Sequence, residues 1–205
     1  MQNPASSPDR PRDAAAPVKP QHVCPWWLGY LLASPIRRIF NPPAKLLAGH
    51  VRPGMTVLEP GPGMGFFTLE LARLVGDSGR VIAVDVQSRM LDGLRRRAAK
   101  AGVLGRLDAR LAASDSLGLA DLAGAVDFTL ACAVVHELPA ADRFFREAAQ
   151  ASKPGARLLL VEPAGHVTAS AFDAELQAAR DAGFTVVESP SVRRSHAALL
   201  ERATG

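Results

Sequence analysis

The run Glu59-Pro60-Gly61-Pro62-Gly63-Met64-Gly65 follows Val57-Leu58 and precedes Phe66-Phe67, so a short apolar segment enters three spaced glycines and then a stretch with helical spacing. Glycine lets a chain turn sharply, and it lets a ligand lie against main-chain N–H groups at a helix N-terminus. The chemistry implied is capture of a nucleotide-like ligand. A dinucleotide fingerprint would carry a glycine where Phe66 stands, which weighs against a nicotinamide cofactor. Twenty residues past Gly65, Asp85 closes a second apolar run, Val81 to Val84, where its carboxylate can accept hydrogen bonds from both hydroxyls of a ribose. The alternative for Asp85 is a cap on the following helix, a role for which Ser88 already stands ready.

Later in the chain, His136 and Glu137 follow the apolar run Val126–Cys132, Glu162 ends the run from Leu159, and His166 lies four residues beyond Glu162. An unperturbed imidazole titrates near pH 6.5, so His136 can accept a proton at neutral pH. Its alternative is a loop histidine bonded to backbone. The pattern His136-Glu137-Leu138-Pro139 lacks the second helical histidine of zinc hydrolases, and its proline opposes a paired helical face, so no metal is expected.

The elements that must position these residues alternate. Strand-like segments at Thr56–Glu59, Val81–Asp85, Asp108–Ala112, Val126–Cys132, Arg157–Val161, Thr185–Ser189 and Ser195–Leu200 are separated by stretches of helical periodicity. Phe67, Leu71, Leu74 and Val75 mark one amphipathic helix. Leu91, Leu94 and Ala98 mark a second behind Ser88, Phe144, Phe145, Ala148 and Ala149 a third before a Lys153-Pro154-Gly155 turn, and Phe172, Leu176 and Ala179 a fourth ending at Gly183. This order predicts an α/β fold with a doubly wound, seven-stranded sheet. Ligands of such sheets bind beyond the carboxyl ends of the strands, where His136, Glu137, Glu162 and His166 can share one crevice.

At 205 residues and 48% hydrophobic content, the chain suits one domain. We divide it into a disordered tail over residues 1–20, an N-terminal helical cap over 21–50 and a ligand-binding domain over 51–205. The cap comprises two short proline-opened helices, from Pro25 to Leu32 and from Pro42 to His50. Its aromatic stretch Trp26-Trp27-Leu28-Gly29-Tyr30 either covers the crevice or packs on the sheet edge, and it offers a peripheral contact with a membrane, being too short to span one. A net charge of +4, three-quarters of it outside the tail, is too thinly spread to argue for nucleic acid. Two cysteines, Cys24 and Cys132, make no disulfide framework, Cys132 reads as buried, and a cytoplasmic location is expected.

From Thr56 to Leu200 the chain resembles the class I S-adenosylmethionine-dependent methyltransferases, with their Rossmann-like, mostly parallel sheet and last antiparallel strand. The resemblance implies that Glu59, Gly61, Pro62, Gly63 and Gly65 wrap the methionine part of S-adenosyl-L-methionine. It implies that Asp85, with Val86 and Met90 beyond it, holds the ribose side, and that Ser114-Asp115 meets the adenine, although Ser-Asp-Ser is also a common turn composition. Ala133 stands on the cofactor side of the loop after the fourth strand. The implied activity is methyl transfer to a small-molecule acceptor, with His136, Glu137 and His166 as the catalytic candidates. Arsenite methyltransferases use three accessible cysteines, which this chain does not offer. The alternatives are a cofactor-binding protein without transferase activity, a macromolecular acceptor, or nicotinamide-dependent oxidoreduction.

Overall fold

The computed structural model describes residues 43–204. The tail and the Trp26-Trp27-Tyr30 part of the cap lie outside the described residues. Of the cap, a helix α1 forms at Pro43–Leu47 and ends in a turn before His50, shorter than the Pro42–His50 expectation.

Seven strands follow: β1 Thr56–Pro60, β2 Arg80–Asp85, β3 Leu107–Leu111, β4 Val126–Cys132, β5 Ser152–Pro163, β6 Phe184–Glu188 and β7 Ser195–Arg202. They form one sheet in the order β3-β2-β1-β4-β5-β7-β6. β1 pairs in parallel with β2 on one side and β4 on the other, and β7 runs antiparallel between β5 and β6. The chain winds outward from β1 to β3, then returns to start again at β4. That reversal opens a crevice at the carboxyl ends of β1 and β4, the switch point where open α/β sheets hold ligands.

Period-two alternation divides the apolar residues between two cores. Leu58, Ile82, Leu158, Leu160 and Leu200 face one side, beneath helices α4 (Ala141–Ala151) and α5 (Ala169–Asp181), where Phe144, Phe145 and Phe172 pack. Val57, Val81, Leu159, Val161 and Leu199 face the other, beneath α1 and helix α2 (Thr68–Val75). Helix α3 (Ser88–Lys100) lies on this second side over Ala83 through Leu91 and Leu94. Because both faces are covered, the strands read as near-continuous apolar runs.

Two expectations need correction. Ser88 is not the cap of α3: Gln87 occupies that position, no side chain caps the helix, and the Asp85 carboxylate accepts the Gln87 N–H at 2.9 Å. Asp85 reaches that N–H from the end of β2 and so fixes the turn that leads into α3, without capping the helix. The Lys153-Pro154-Gly155 turn lies inside β5. Val126 pairs with Ser152 and Phe128 already with Arg157, so the surplus residues bulge out, with Gly155 at φ 73° and the Lys153 ammonium on Asp127.

Gly65 sits at φ 85°, where a Cβ would also meet Leu94 Cδ1 at 2.4 Å. The left-handed conformation alone costs an L-residue about 1–2 kcal/mol, and Leu94 can swing away only by giving up core packing. Gly65→Ala is therefore expected to lower unfolding free energy by about 1–3 kcal/mol in urea titrations; an unchanged midpoint would show that this loop carries no packing constraint.

Candidate functional site

A cavity of about 430 Å³ opens at the switch point, a size suited to a small ligand. One wall comes from the β1–α2 loop. The end of β2 and the residue after it bring Asp85 and Val86, the first turn of α3 brings Met90, the β3 loop brings Ser114 and Asp115, and the β4 and β5 loops bring Ala133, His136, Glu137 and His166. The sequence-derived site residues converge here with two exceptions, Gly65 and Glu162. Gly65 does not line the cavity; its glycine admits Leu94 and serves the packing of loop on helix.

The three loop glycines thus have different physical reasons. A Cβ on Gly61 would strike Val134 Cγ2 at 2.7 Å, so Gly61 admits the neighbouring β4 loop. Gly63, at φ 53°, has no atom of the described residues, its chain neighbours aside, within 4 Å of where its Cβ would be, and it lines the cavity. Gly63 is the glycine whose bare backbone faces ligand space.

Two buried carboxylates flank that loop. Glu59 is 4% exposed and its Oε2 has no hydrogen-bond partner among the described residues. Burial pushes its pKa up to about 8, the Thr68 hydroxyl works against that shift, and the Asp85 charge adds to it. An orphaned acid facing a cavity is costly to the fold and suits a cationic ligand. Asp85 is also raised, chiefly by burial, while the backbone N–H groups of Gln87, Gly63 and Val86 favour its charged form. Asp85 therefore holds its own loop and the glycine loop together while lining the cavity.

At the rim, Asp115 accepts a 2.9 Å hydrogen bond from Arg143 of α4, and Glu147 accepts the Leu117 N–H at 2.7 Å and the Ser116 hydroxyl at 3.1 Å. Helix α4 thus fastens the β3 loop. Arg143 and Glu147 line the cavity and were missed; their only sequence signal is an i, i+4 charge pair ahead of buried alanines.

On the β4 side, His136 sits in a single 3₁₀ turn, Val135–Glu137, with its ring 5.8 Å from that of His166 in an edge-to-face arrangement. A hydrogen bond accepted by Glu162 raises the His136 pKa above the ordinary imidazole value, burial opposes it, and the charges of Glu162, Glu137 and Glu175 add to it. Glu162 does not line the crevice as expected; it is fully buried behind His136. Cys132, expected in the core, is half-buried and lines the cavity because β4 ends there.

The donor set fits S-adenosylmethionine: a bare backbone at Gly63, a partnerless acid for a cationic amino-acid portion, and a strand-end carboxylate for ribose. Fold and site define a Rossmann-like protein of the S-adenosylmethionine-binding class. A family model described as a methyltransferase domain matches residues 57–155. A SAM-dependent methyltransferase from Aquifex aeolicus has a TM-score of 0.76 and 26% identity, over 86% of this chain and 97% of that one. Residues 57–155 thus match a methyltransferase domain, and the fold around them is that of the class I S-adenosylmethionine-dependent methyltransferases.

Curated relatives include the ubiquinone/menaquinone biosynthesis C-methyltransferases UbiE of Haemophilus ducreyi and of Escherichia coli O1:K1 / APEC. The first is 31% identical over 116 residues, covering 55% of this chain and 42% of that protein. The second is 31% identical over 112 residues, covering 55% and 44%. The chain thus spans less than half the length of these curated relatives. The [4+2]-cyclase SpnF shares the fold alone, with a TM-score of 0.66 at 18% identity over 79% of this chain and 80% of that one.

Asp85→Ala is expected to weaken S-adenosylmethionine binding roughly ten- to a hundredfold, the scale of one charge-assisted hydrogen bond, about 1.5–3 kcal/mol. Isothermal calorimetry on the folded variant checks this, and an unchanged affinity removes Asp85 from the site. Gly63→Val should also weaken binding, since the side chain would enter ligand space. Wild-type affinity in that variant would mean that the ligand does not lie against Gly63.

Proposed function

We propose that the domain over residues 51–205 transfers the methyl group of S-adenosylmethionine to a small, largely apolar acceptor held between the glycine loop and His136. The observation that carries this reading is that one cavity is lined both by Glu59, Gly63 and Asp85 and by His136 and His166. Cofactor-holding and proton-accepting groups thus share one cavity.

Bound there, S-adenosylmethionine supplies an electrophilic methyl on a sulfonium. The residues of the chain do the rest. The Gly63 backbone and Asp85 hold the methionine and ribose portions, Glu59 answers positive charge, and Phe66, Phe67 and Phe144 line the cavity with apolar surface. Methyl transfer is an in-line displacement governed by near-attack positioning, and His136 adds general-base help when the acceptor carries a proton. The C-methyltransferase relatives support a small acceptor, as does a cavity of this volume. The reducing cytoplasm is the proposed location, where Cys132 stays a thiol.

A second reading is cofactor binding without methyl transfer, since a protein named as a [4+2]-cyclase shares this fold. Incubation with S-adenosylmethionine and cell extract separates the two: the first yields S-adenosylhomocysteine and a methylated product, the second consumes no cofactor.

A pH dependence follows from Glu59. Its folded pKa of about 8 lies above the ordinary 4.5, so the folded chain holds this proton more tightly than the unfolded one, and the group's contribution to stability falls as pH rises from 4.5 to about 8. A cationic ligand beside Glu59 lowers its proton affinity, so binding near neutrality releases a proton. Affinity should therefore rise towards about pH 8 and level off above it. Calorimetry in buffers of different ionisation heat reads the released proton. Binding heats that ignore the buffer, or a Glu59→Gln variant with the same pH profile, would sever Glu59 from the cofactor.

A further inference from the structure

Glu162 lies near the end of an apolar strand, is fully buried and stands outside the cavity wall, yet two backbone donors and an imidazole nitrogen converge on it. Its Oε1 accepts the N–H of Val135 at 2.8 Å and that of Val134 at 3.3 Å, and its Oε2 lies 2.5 Å from His136 Nδ1. These bonds hold a turn that the backbone does not favour. Ala133 has φ 55°, left-handed for a residue with a Cβ, and its N–H is tied to the Val161 carbonyl at 2.8 Å. Strain of this kind persists only where neighbours over-determine the conformation.

We infer that Glu162 is a positioning residue that holds His136 with its hydrogen on Nδ1, leaving the Nε2 lone pair for the cavity, and that the acceptor accordingly carries an acidic hydrogen, a hydroxyl above all. This rests on the methyl-transfer reading. A carboxylate that already accepts two backbone N–H groups is an acceptor towards the imidazole as well, which sets the tautomer. Nε2 of His136 takes the acceptor's proton as the acceptor oxygen bonds to the methyl carbon. The S–CH₃ bond breaks, its electron pair stays on sulfur, and the neutral thioether leaves. The imidazolium so formed sits against Glu162 and later gives its proton to solvent.

Other groups around His136 do not substitute for Glu162. Glu137 shares its turn, and the His166 ring meets it edge to face. Glu175 of α5 is buried, with Oε2 partnerless among the described residues, and burial beside Glu162 pushes its pKa up to about 7. His196 on β7, opposite Glu162 in register, is engaged with the Val167 carbonyl at 3.1 Å. Glu162 is the group that meets Nδ1.

The test needs no known acceptor. Long-range proton–nitrogen correlation spectra of the nitrogen-labelled full chain should show His136 with its hydrogen on Nδ1 and a titration midpoint above the free imidazole value. In Glu162→Gln the two backbone N–H groups claim the amide oxygen, so the NH₂ faces Nδ1 and the ring inverts to the Nε2–H form. Its midpoint should fall, S-adenosylmethionine affinity should stay within about threefold, and transfer to small phenols should drop roughly a hundredfold, the scale of general-base help. Hydrogen on Nε2 in the wild-type protein overturns the inference, as does a wild-type tautomer in Glu162→Gln. Equal transfer to dimethyl sulfide, which has no acidic hydrogen, overturns its acceptor half. If Glu162→Gln does not fold, the wild-type tautomer and the wild-type pH–rate profile decide. Failure to bind S-adenosylmethionine would overturn the methyl-transfer reading and leave the tautomer result standing.

Discussion

A carboxylate taken out of water must find hydrogen-bond donors or give up its charge, and three acids at the carboxyl ends of parallel strands face that constraint here. Asp85 at the end of β2 accepts the Gln87 N–H and is further favoured by those of Gly63 and Val86. Glu162 near the end of β5 accepts the N–H groups of Val134 and Val135. In each case the acid of one strand organises a loop leaving the sheet beside it. The loops that line the cavity take their shape from these bonds, and helices α3 and α4 start from positions those loops set.

Glu59 meets the same constraint differently. Its Oε2 has no partner among the described residues, and it remains protonated into the neutral range. That arrangement offsets part of the favourable burial around it, as do the left-handed Ala133 and the crowded Glu162–Glu175 pair. All three costs fall at or beside one cavity, while the two clusters behind it are built from apolar side chains. Strain and unmet polar groups concentrated at a binding site are the usual sign that local stability has been traded for function.

The fold class, the strands and most of the cavity wall were legible in the amino-acid sequence. Period-two and 3.6-residue patterns are local, and strand ends followed by glycine or acid mark where a parallel sheet presents its ligand edge. Errors arose where a local signal had a competitor elsewhere in the fold. Ser88 is a good cap residue, but the turn that Asp85 fixes at Gln87 makes Ser88 the first residue of the helix and Gln87 its cap. Gly65 matches the spacing of a ligand-binding glycine, but Leu94 from α3 occupies its space. Cys132 belongs to an apolar run, yet it is the last residue of β4 and so faces the cavity.

By itself, then, the sequence determined the alternation of elements, the glycine loop and the acid at Asp85, because each depends on residues close together in the chain. Only the tertiary structure decided which glycine faces the ligand, that α4 supplies Arg143 and Glu147 to the rim, and that Glu162 stands behind His136 across 26 residues of chain. Those are relations between separate strands and helices, set by sheet order and register, and no periodicity within a segment encodes which neighbour it will meet.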